Sequence, residues 1–298
     1  MALQSSGAIS LSDIQTEFGG SNPISLSEYY RGGAYTTSNN TGVPTSGQIQ
    51  MDDFYGATKQ YTVTVLLVAG GGGAGASADG RPAGGGGAGG VLYGTMDIAP
   101  ATYSFTVGGA GAGTSNTNYR GDNGGDSIFN GATAIGGGGG SSGQDYYTGS
   151  GASTGGSGGG GSPANGATAG AAGIQGNSAG LTGYGNNGAN AGSYTSVDSS
   201  AGGGGAGSAG TTGANLNGSY DGGDGGQPKS FTVGGTSYSV ARGGNGIYGS
   251  TTGGGYGNGG DGNGGSGSAG VLIISGPNNT VIKTSSGTVT LASDGTLS

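Results

Sequence analysis

Glycine fills the chain from about Gly70 to Gly270, and this stretch decides most of what the chain can fold into. Of 298 residues, 84 are Gly. A collagen triple helix needs Gly at every third position without a break, because only Gly fits its crowded axis. Here the phase slips repeatedly and only 7 Pro are present, which excludes collagen. Low complexity also suggests disorder. Against it, only 7% of residues are charged, too few to keep a disordered chain dissolved. The apolar residues are moreover gathered into short β-type runs bounded by Gly or Pro: Val63–Ala69, Tyr103–Val107, Asp126–Phe129, Phe231–Val233, Tyr238–Val240 and Val271–Ile274.

The middle of the field, from Gly136 to Gly226, is too poor in large aliphatic residues to make a β-sandwich. Its Gly residues often recur at a spacing of three, as in Gly170, Gly173, Gly176 and in Gly204, Gly207, Gly210, Gly213. The same spacing holds for Gly243, Gly246, Gly249 and for Gly264, Gly267, Gly270. Three residues per turn is the polyproline-II period. Bare backbones of this kind can pack side by side and exchange N–H···O=C bonds as a polyglycine-II lattice. Ordering a residue costs about 1–2 kcal/mol, whereas a hydrogen bond returns only about 0.5–1.5 kcal/mol net. The lattice therefore needs nearly complete pairing and a clamp, supplied by the apolar strands that open and close the field. Turns are expected at Ser141–Thr148, Tyr184–Asn187, Tyr194–Ser200 and Asn215–Asp221, where Asn, Ser, Thr, Asp and Tyr collect.

Residues 1–60 have ordinary composition and a weak internal repeat: GAISLSDI, PISLSEY and GQIQMDDF. Ser10 with Asp13 and Ser25 with Glu28 have capping-box spacing, and Gln50 with Asp53 is a poorer version. Each copy predicts a short helix, ending at Gly19-Gly20, Gly32-Gly33 or Gly56. Ile9, Leu11, Ile24, Leu26, Tyr29, Ile49, Met51 and Phe54 are the expected apolar contacts. Sixty residues are marginal for an independent core, so these helices are expected to attach to another surface. Residues 277–298 read as a separate β-hairpin tail, Thr280–Thr284 against Thr288–Ala292.

Several chemistries are excluded or weakly supported. The net charge of −8 disfavours nucleic acid and anionic membrane surfaces. With no Cys and no His, thiol chemistry and the commonest general base are missing, so no enzyme is expected, and neither a cofactor nor a metal. Gly70, Gly72 and Gly75 after a strand match the dinucleotide fingerprint, but the residues that follow cannot form the helix it requires. Gly124-Gly-Asp126, Gly222-Gly-Asp224 and Gly259-Gly-Asp261 approach calcium-repeat spacing without its register and read as solvated turn aspartates. No basic leader and no membrane-length apolar run is present, so the chain is expected to be made without a signal peptide. Tyr146, Tyr147, Tyr184, Tyr194, Tyr220, Tyr248 and Tyr256, set among Gly, Asn and Ser, either cover grooves or form a contact surface, the first five being the chief contact candidates. Asn186, Asn187, Arg81 and Arg120 would add polar contacts.

The frame VTVLLVAGGGGAG, GGGGAGGVL, YSFTVGGAGAG, GDNGGDSIF and GSAGVLIIS resembles the glycine-rich domain of bacteriophage tail-fibre and tail-tip proteins, over residues 61–276. ISLSDIQTEFGG, PISLSEYYRGG and GQIQMDDFYG resemble the N-terminal segment common on phage structural proteins. The resemblance implies a polyglycine-II sandwich with variable loops that recognise the bacterial surface and an opposite end that joins the fibre. It thus implies a virion adhesin whose partners are other tail-fibre proteins and a host glycan or outer-membrane protein. Rival readings are a purely structural virion subunit and an ice-binding protein, though the Thr residues lack the regular spacing that ice binding needs.

Overall fold

The computed structural model describes residues 2–77, 81–143, 151–163, 169–192, 199–213, 215–216, 219–220 and 222–298, with backbone alone for 215–216 and 219–220. Among these residues the architecture is strand and irregular chain, with short helices confined to the N-terminal sixty.

The N-terminal repeat folds as its capping pattern predicts. Helix α1 spans Leu11–Phe18, and one-turn 3-10 helices span Leu26–Tyr29 and Met51–Phe54. Each begins with a capping box: Ser10 with Asp13, Ser25 with Glu28, and Gln50 with Asp53. Hydrogen bonds from Ser10 hold the Asp13 carboxyl below its ordinary range. Helix α1 ends at Gly19 (φ 89°), whereas the 3-10 helices stop at Tyr30 and Tyr55, ahead of the expected glycines. The three copies converge on one core of Ile14, Phe18, Tyr29, Val43 and Phe54. The Tyr29 and Phe54 rings meet nearly edge-on, 6.2 Å apart at 88°, and the Tyr29 hydroxyl donates to the Gly19 carbonyl at 2.6 Å.

Strand β1 (Tyr61–Val68) is central to a five-stranded antiparallel sheet. Its neighbours are β2 (Val91–Ile98) on one side and Val271–Ser275 on the other. A second sheet is built on β3 (Ala101–Thr106), β4 (Ser127–Phe129) and β5 (Ala132–Ala134). β6 (Thr182–Tyr184) is the edge of the first sheet beside β2, and β7 (Asn215–Leu216) pairs with β8 (Ser219–Tyr220). β9 (Lys229–Val233) and β10 (Thr236–Val240) form a hairpin through Gly234 and Gly235, whose φ of 54° and 80° suit a primed turn. Strand Val271–Ser275 is β11, followed by β12 (Val281–Thr284) and β13 (Thr288–Leu291).

The clamp of the glycine field follows from this pairing. Val65 faces Ile274 and Leu66 faces Ile273 across β1 and β11. Val63, Val65, Leu67, Leu272 and Ile274 meet Phe129, Ala132, Val289 and Leu291 of the second sheet. On the opposite face, Leu66, Val68, Val91, Val271 and Ile273 meet Phe231, Val233 and Val240. Burial on both faces explains why VTVLLV and VLII read as nearly unbroken apolar runs rather than alternating ones.

Two expectations are corrected here. β12 and β13 exist, but they do not pair as a hairpin. β12 extends the first sheet beside β11, and β13 extends the second beside β3. A lone two-stranded hairpin is marginal in water, whereas two sheet edges offer pairing plus burial of Val289 and Leu291. β2 was not foreseen because Gly94, at φ 155°, interrupts its apolar pattern.

The lattice is visible in its donors. Gly70 donates to Gly125, Gly71 to Ser268 and Gly72 to Gly87. The next three residues repeat the order: Gly73 to Asp122, Ala74 to Gly265 and Gly75 to Gly84. Successive N–H groups thus point to three different runs and return to the same run every third residue, as a three-fold helix requires and a strand cannot. Three further runs donate back: Gly111 to Gly71, Gly137 to Gly70 and Gly260 to Gly72. Run 70–75 is therefore surrounded by six neighbours. A Cβ built on Gly70, Gly71 or Gly72 would fall within 3.0 Å of a carbonyl oxygen of Gly109, Asn258 or Gly138 respectively. Run 84–90 repeats the pattern, with Gly84, Gly87 and Gly90 donating to Ser141, Gly138 and Ile135.

Candidate functional site

Chain direction sorts the lattice into two ends. Run 70–75 leaves β1, and run 84–90 returns into β2 while bonded to it antiparallel. Run 108–114 leaves β3 and run 121–125 returns to β4, joined by Asp122 N–H to Ala112 and Gly125 N–H to Gly109. Run 241–246 leaves β10, and run 265–270 enters β11. The turns 114–120, 247–252 and 261–264 consequently lie at the end away from the sheets. The N-terminal module joins at Tyr61, the opposite end of β1. Contacts there include Lys59 N–H to the Glu17 carboxylate at 2.8 Å and the Tyr61 hydroxyl to the Ser293 carbonyl at 2.5 Å.

Among the described residues, the turn end holds a cleft of about 520 Å³ along 113–123, lined by Thr114, Asn116, Tyr119, Arg120, Asp122 and Asn123. Its backbone is anchored to the lattice. Thr114 N–H donates to Ala74, Gly121 N–H to Gly140, and Asp122 N–H to Ala112. Between these anchors, Asn116 closes the turn: its Oδ1 accepts from Asn118 N–H at 3.1 Å and its carbonyl from Tyr119 N–H at 3.1 Å. The Tyr119 ring is 56% exposed.

Of the expected contact residues, Arg120 lies in this cleft. Arg81 is half-buried and engaged in an interaction of its own. Tyr146, Tyr147 and Tyr194 lie outside the described residues, as does the Tyr220 side chain. Tyr184, Asn186 and Asn187 are not in a turn. Tyr184 ends β6 and packs edge-on against Phe231 at 5.1 Å, with the Lys229 ammonium over its ring, 5.1 Å from the centroid. It covers the second apolar core. Asn186 donates from Nδ2 to the Gly205 carbonyl at 2.7 Å, and the Asn187 Oδ1 accepts from Gly173 N–H at 2.9 Å. Both asparagines are ties between runs.

The Gly-Gly-Asp motifs also make ties between runs, while Asp126 and Asp261 stay exposed as expected and Asp261 opens the turn 261–264. Asp126 accepts from Gly136 N–H at 2.7 Å, and Asp224 from Ser250 N–H at 2.6 Å. Asp261 accepts from Asn245 N–H at 2.8 Å while the Arg242 guanidinium forks onto it at 2.8 and 3.2 Å. These side chains supply carbonyl-like acceptors where no backbone carbonyl reaches. Among the described residues no group of three or more acidic side chains could hold a metal ion. Tyr29 and Phe54, expected as attachment contacts, are fully buried in their own module, while Ile9, Leu11, Ile24, Leu26, Ile49 and Met51 pack around them partly exposed.

A family model for the glycine-rich domain matches residues 44–292. The chain belongs to the glycine-rich domain family. The match takes in β12 and β13, so the tail belongs to the glycine-rich domain in sequence as it does in its sheets. No match was found among curated proteins. Sequence reasoning about this glycine-rich domain missed Tyr119, Asn116 and Asp122. The signal was present in TSNTNYRGD, an Asn- and Thr-rich turn carrying adjacent Tyr and Arg between two Gly runs.

Proposed function

We propose that this glycine-rich domain protein is a phage virion tail-fibre tip adhesin. Its N-terminal module joins other tail-fibre proteins, and its turn end contacts a host glycan or outer-membrane protein. The observation that carries this reading is polarity: the module enters at one end of β1, and the turns of the lattice collect beyond the other. Backbone pairing holds the runs, so turn residues can change without removing core contacts. Preformed turns on such a frame bind with little ordering cost. The resemblance of the VTVLLVAGGGGAG and GSAGVLIIS frame to tail-fibre tips supports the same assignment. The net charge of −8 favours neither nucleic acid nor an anionic membrane as the target.

The test exchanges turn 115–120 for an unrelated polar turn of equal length and replaces the 70%-exposed Tyr248, whose φ is 69°, by Asn. Binding of the purified full chain to a panel of bacterial strains is then measured. The expected outcome is an unchanged melting temperature with altered or lost strain binding. Binding that is identical before and after both changes would reject the receptor role.

A further inference from the structure

The chain has seven cationic side chains, and six of them are engaged within the fold. Lys59, Lys229 and Lys283 lie over the rings of Tyr61, Tyr184 and Tyr256 at 5.0, 5.1 and 5.6 Å. Arg242 is bound to Asp261, Arg31 Nε donates to the Val43 carbonyl at 3.0 Å, and Arg81 is also engaged. Among the described residues, the Arg120 guanidinium alone is left without a partner. Asp122, two residues on, also has a free carboxylate, and the two do not pair with each other. Both line the 113–123 cleft beside the exposed Tyr119 ring.

The chemistry of this group selects its ligand. A carboxylate accepts two O–H donors, a guanidinium donates to two oxygens in a fork, and an aromatic face takes an apolar C–H surface. Together these match a pyranose, which offers adjacent hydroxyls on its edge and C–H groups on its face. One positive and one negative group leave the cleft without net charge, which favours an uncharged ligand. A protein epitope instead calls for buried apolar anchors. At the turn end the exposed large hydrophobic side chains among the described residues are Tyr119 and Tyr248, whereas Ile128 and Ile174 lie beside the sheets and Tyr55 in the N-terminal module. We propose that the 113–123 cleft binds a neutral sugar, seated on Tyr119 and held at its hydroxyls by Arg120 and Asp122. The proposal rests on the cell-surface reading and gives it a ligand class.

The full chain is tested by saturation-transfer NMR and calorimetry against D-glucose, D-galactose, D-mannose, L-rhamnose, N-acetyl-D-glucosamine and their disaccharides. N-acetylneuraminic acid serves as the anionic arm, and detergent-solubilised outer-membrane proteins as the protein arm. At least one neutral sugar is expected to bind, with Tyr119→Ala and Asp122→Asn each weakening it about tenfold or more. Melting should change little, because neither side chain is hydrogen-bonded or ion-paired within the fold. Absence of binding by every neutral sugar overturns the proposal, as does binding indifferent to both substitutions. Preference for the acid sugar that disappears at high salt overturns it too, as does capture of an outer-membrane protein that Tyr119→Ala abolishes and no sugar competes with. Strain binding that survives both substitutions sinks the sugar site and leaves the adhesin reading standing. A wild-type chain that binds no strain sinks the adhesin reading instead.

Discussion

Replacing Gly86 by Ala would set a methyl carbon within 3.0 Å of the Gly72 carbonyl oxygen, with the Gly73 oxygen close behind. Neither neighbour is a flexible side chain that can swing away, so two backbones must part. Gly109, by contrast, has nothing within 4 Å of a built Cβ, and its φ is not left-handed. We expect Gly86→Ala to cost roughly 3 kcal/mol or more, at the high end for overpacking. Gly109→Ala should be neutral or stabilising by about 0.4–1 kcal/mol, through the lower entropy of its unfolded chain. Denaturant melts of the two variants measure the difference, and equal losses would contradict the lattice contacts. Residue by residue, the sequence was only partly legible. The Gly triplets announced the three-fold period, but which Gly faces a neighbour depends on how distant runs pack. The Asp and Asn ties were missed for the same reason. Asn187 looks like a turn residue in its local sequence, and its partner Gly173 is set by the fold.

At the scale of elements, apolar runs were the dependable signal. β1, β3, β9, β10 and β11 stand where β-branched and aromatic residues cluster. β2 and β6 were hidden by the glycines within them, since their stability comes from pairing rather than from their own side chains. The tail shows the limit of local reading most plainly. Its two strands were legible, but the edges that claim them are more than a hundred residues away in one case: Val289 lies opposite Tyr103. Deleting residues 277–298 would expose β11 and β3 as open edges and remove Val289 and Leu291 from the first apolar core. We expect the truncated chain to aggregate or to melt well below the full chain, because unpaired edges recruit other strands. A truncated chain that stays monomeric with an unchanged melt would mean that the tail is a mere appendage.

For the whole molecule, stability should be graded along its long direction. Runs 70–75 and 84–90 are enclosed on all sides, and the sheets beneath them are buried on both faces. Turn 114–120 carries exposed side chains, and between Thr114 and Gly121 its backbone bonds stay within the turn. Native-state hydrogen exchange should therefore find the slowest amides in Gly70–Gly75, Gly84–Gly90 and β1, opening only with global unfolding. Amides of Ser115–Asn118 should exchange much faster. Uniform exchange along the chain would show that the inner runs are no better protected than the turns. The candidate site was less legible than the fold. Arg120 could be named from sequence, but its isolation became visible only once every other cation had been traced to a partner.

The return of each N–H to the same neighbour every third residue also restricts how such a protein can change length. Adding one residue to run 84–90 would rotate all later donors toward the wrong runs, and adding two would do the same in the other sense. Three residues restore the phase and push the turn outward by about 9 Å. Descendants of this chain can therefore grow or shorten their tips in whole triplets, one notch at a time, while the sheets at the base stay as they are.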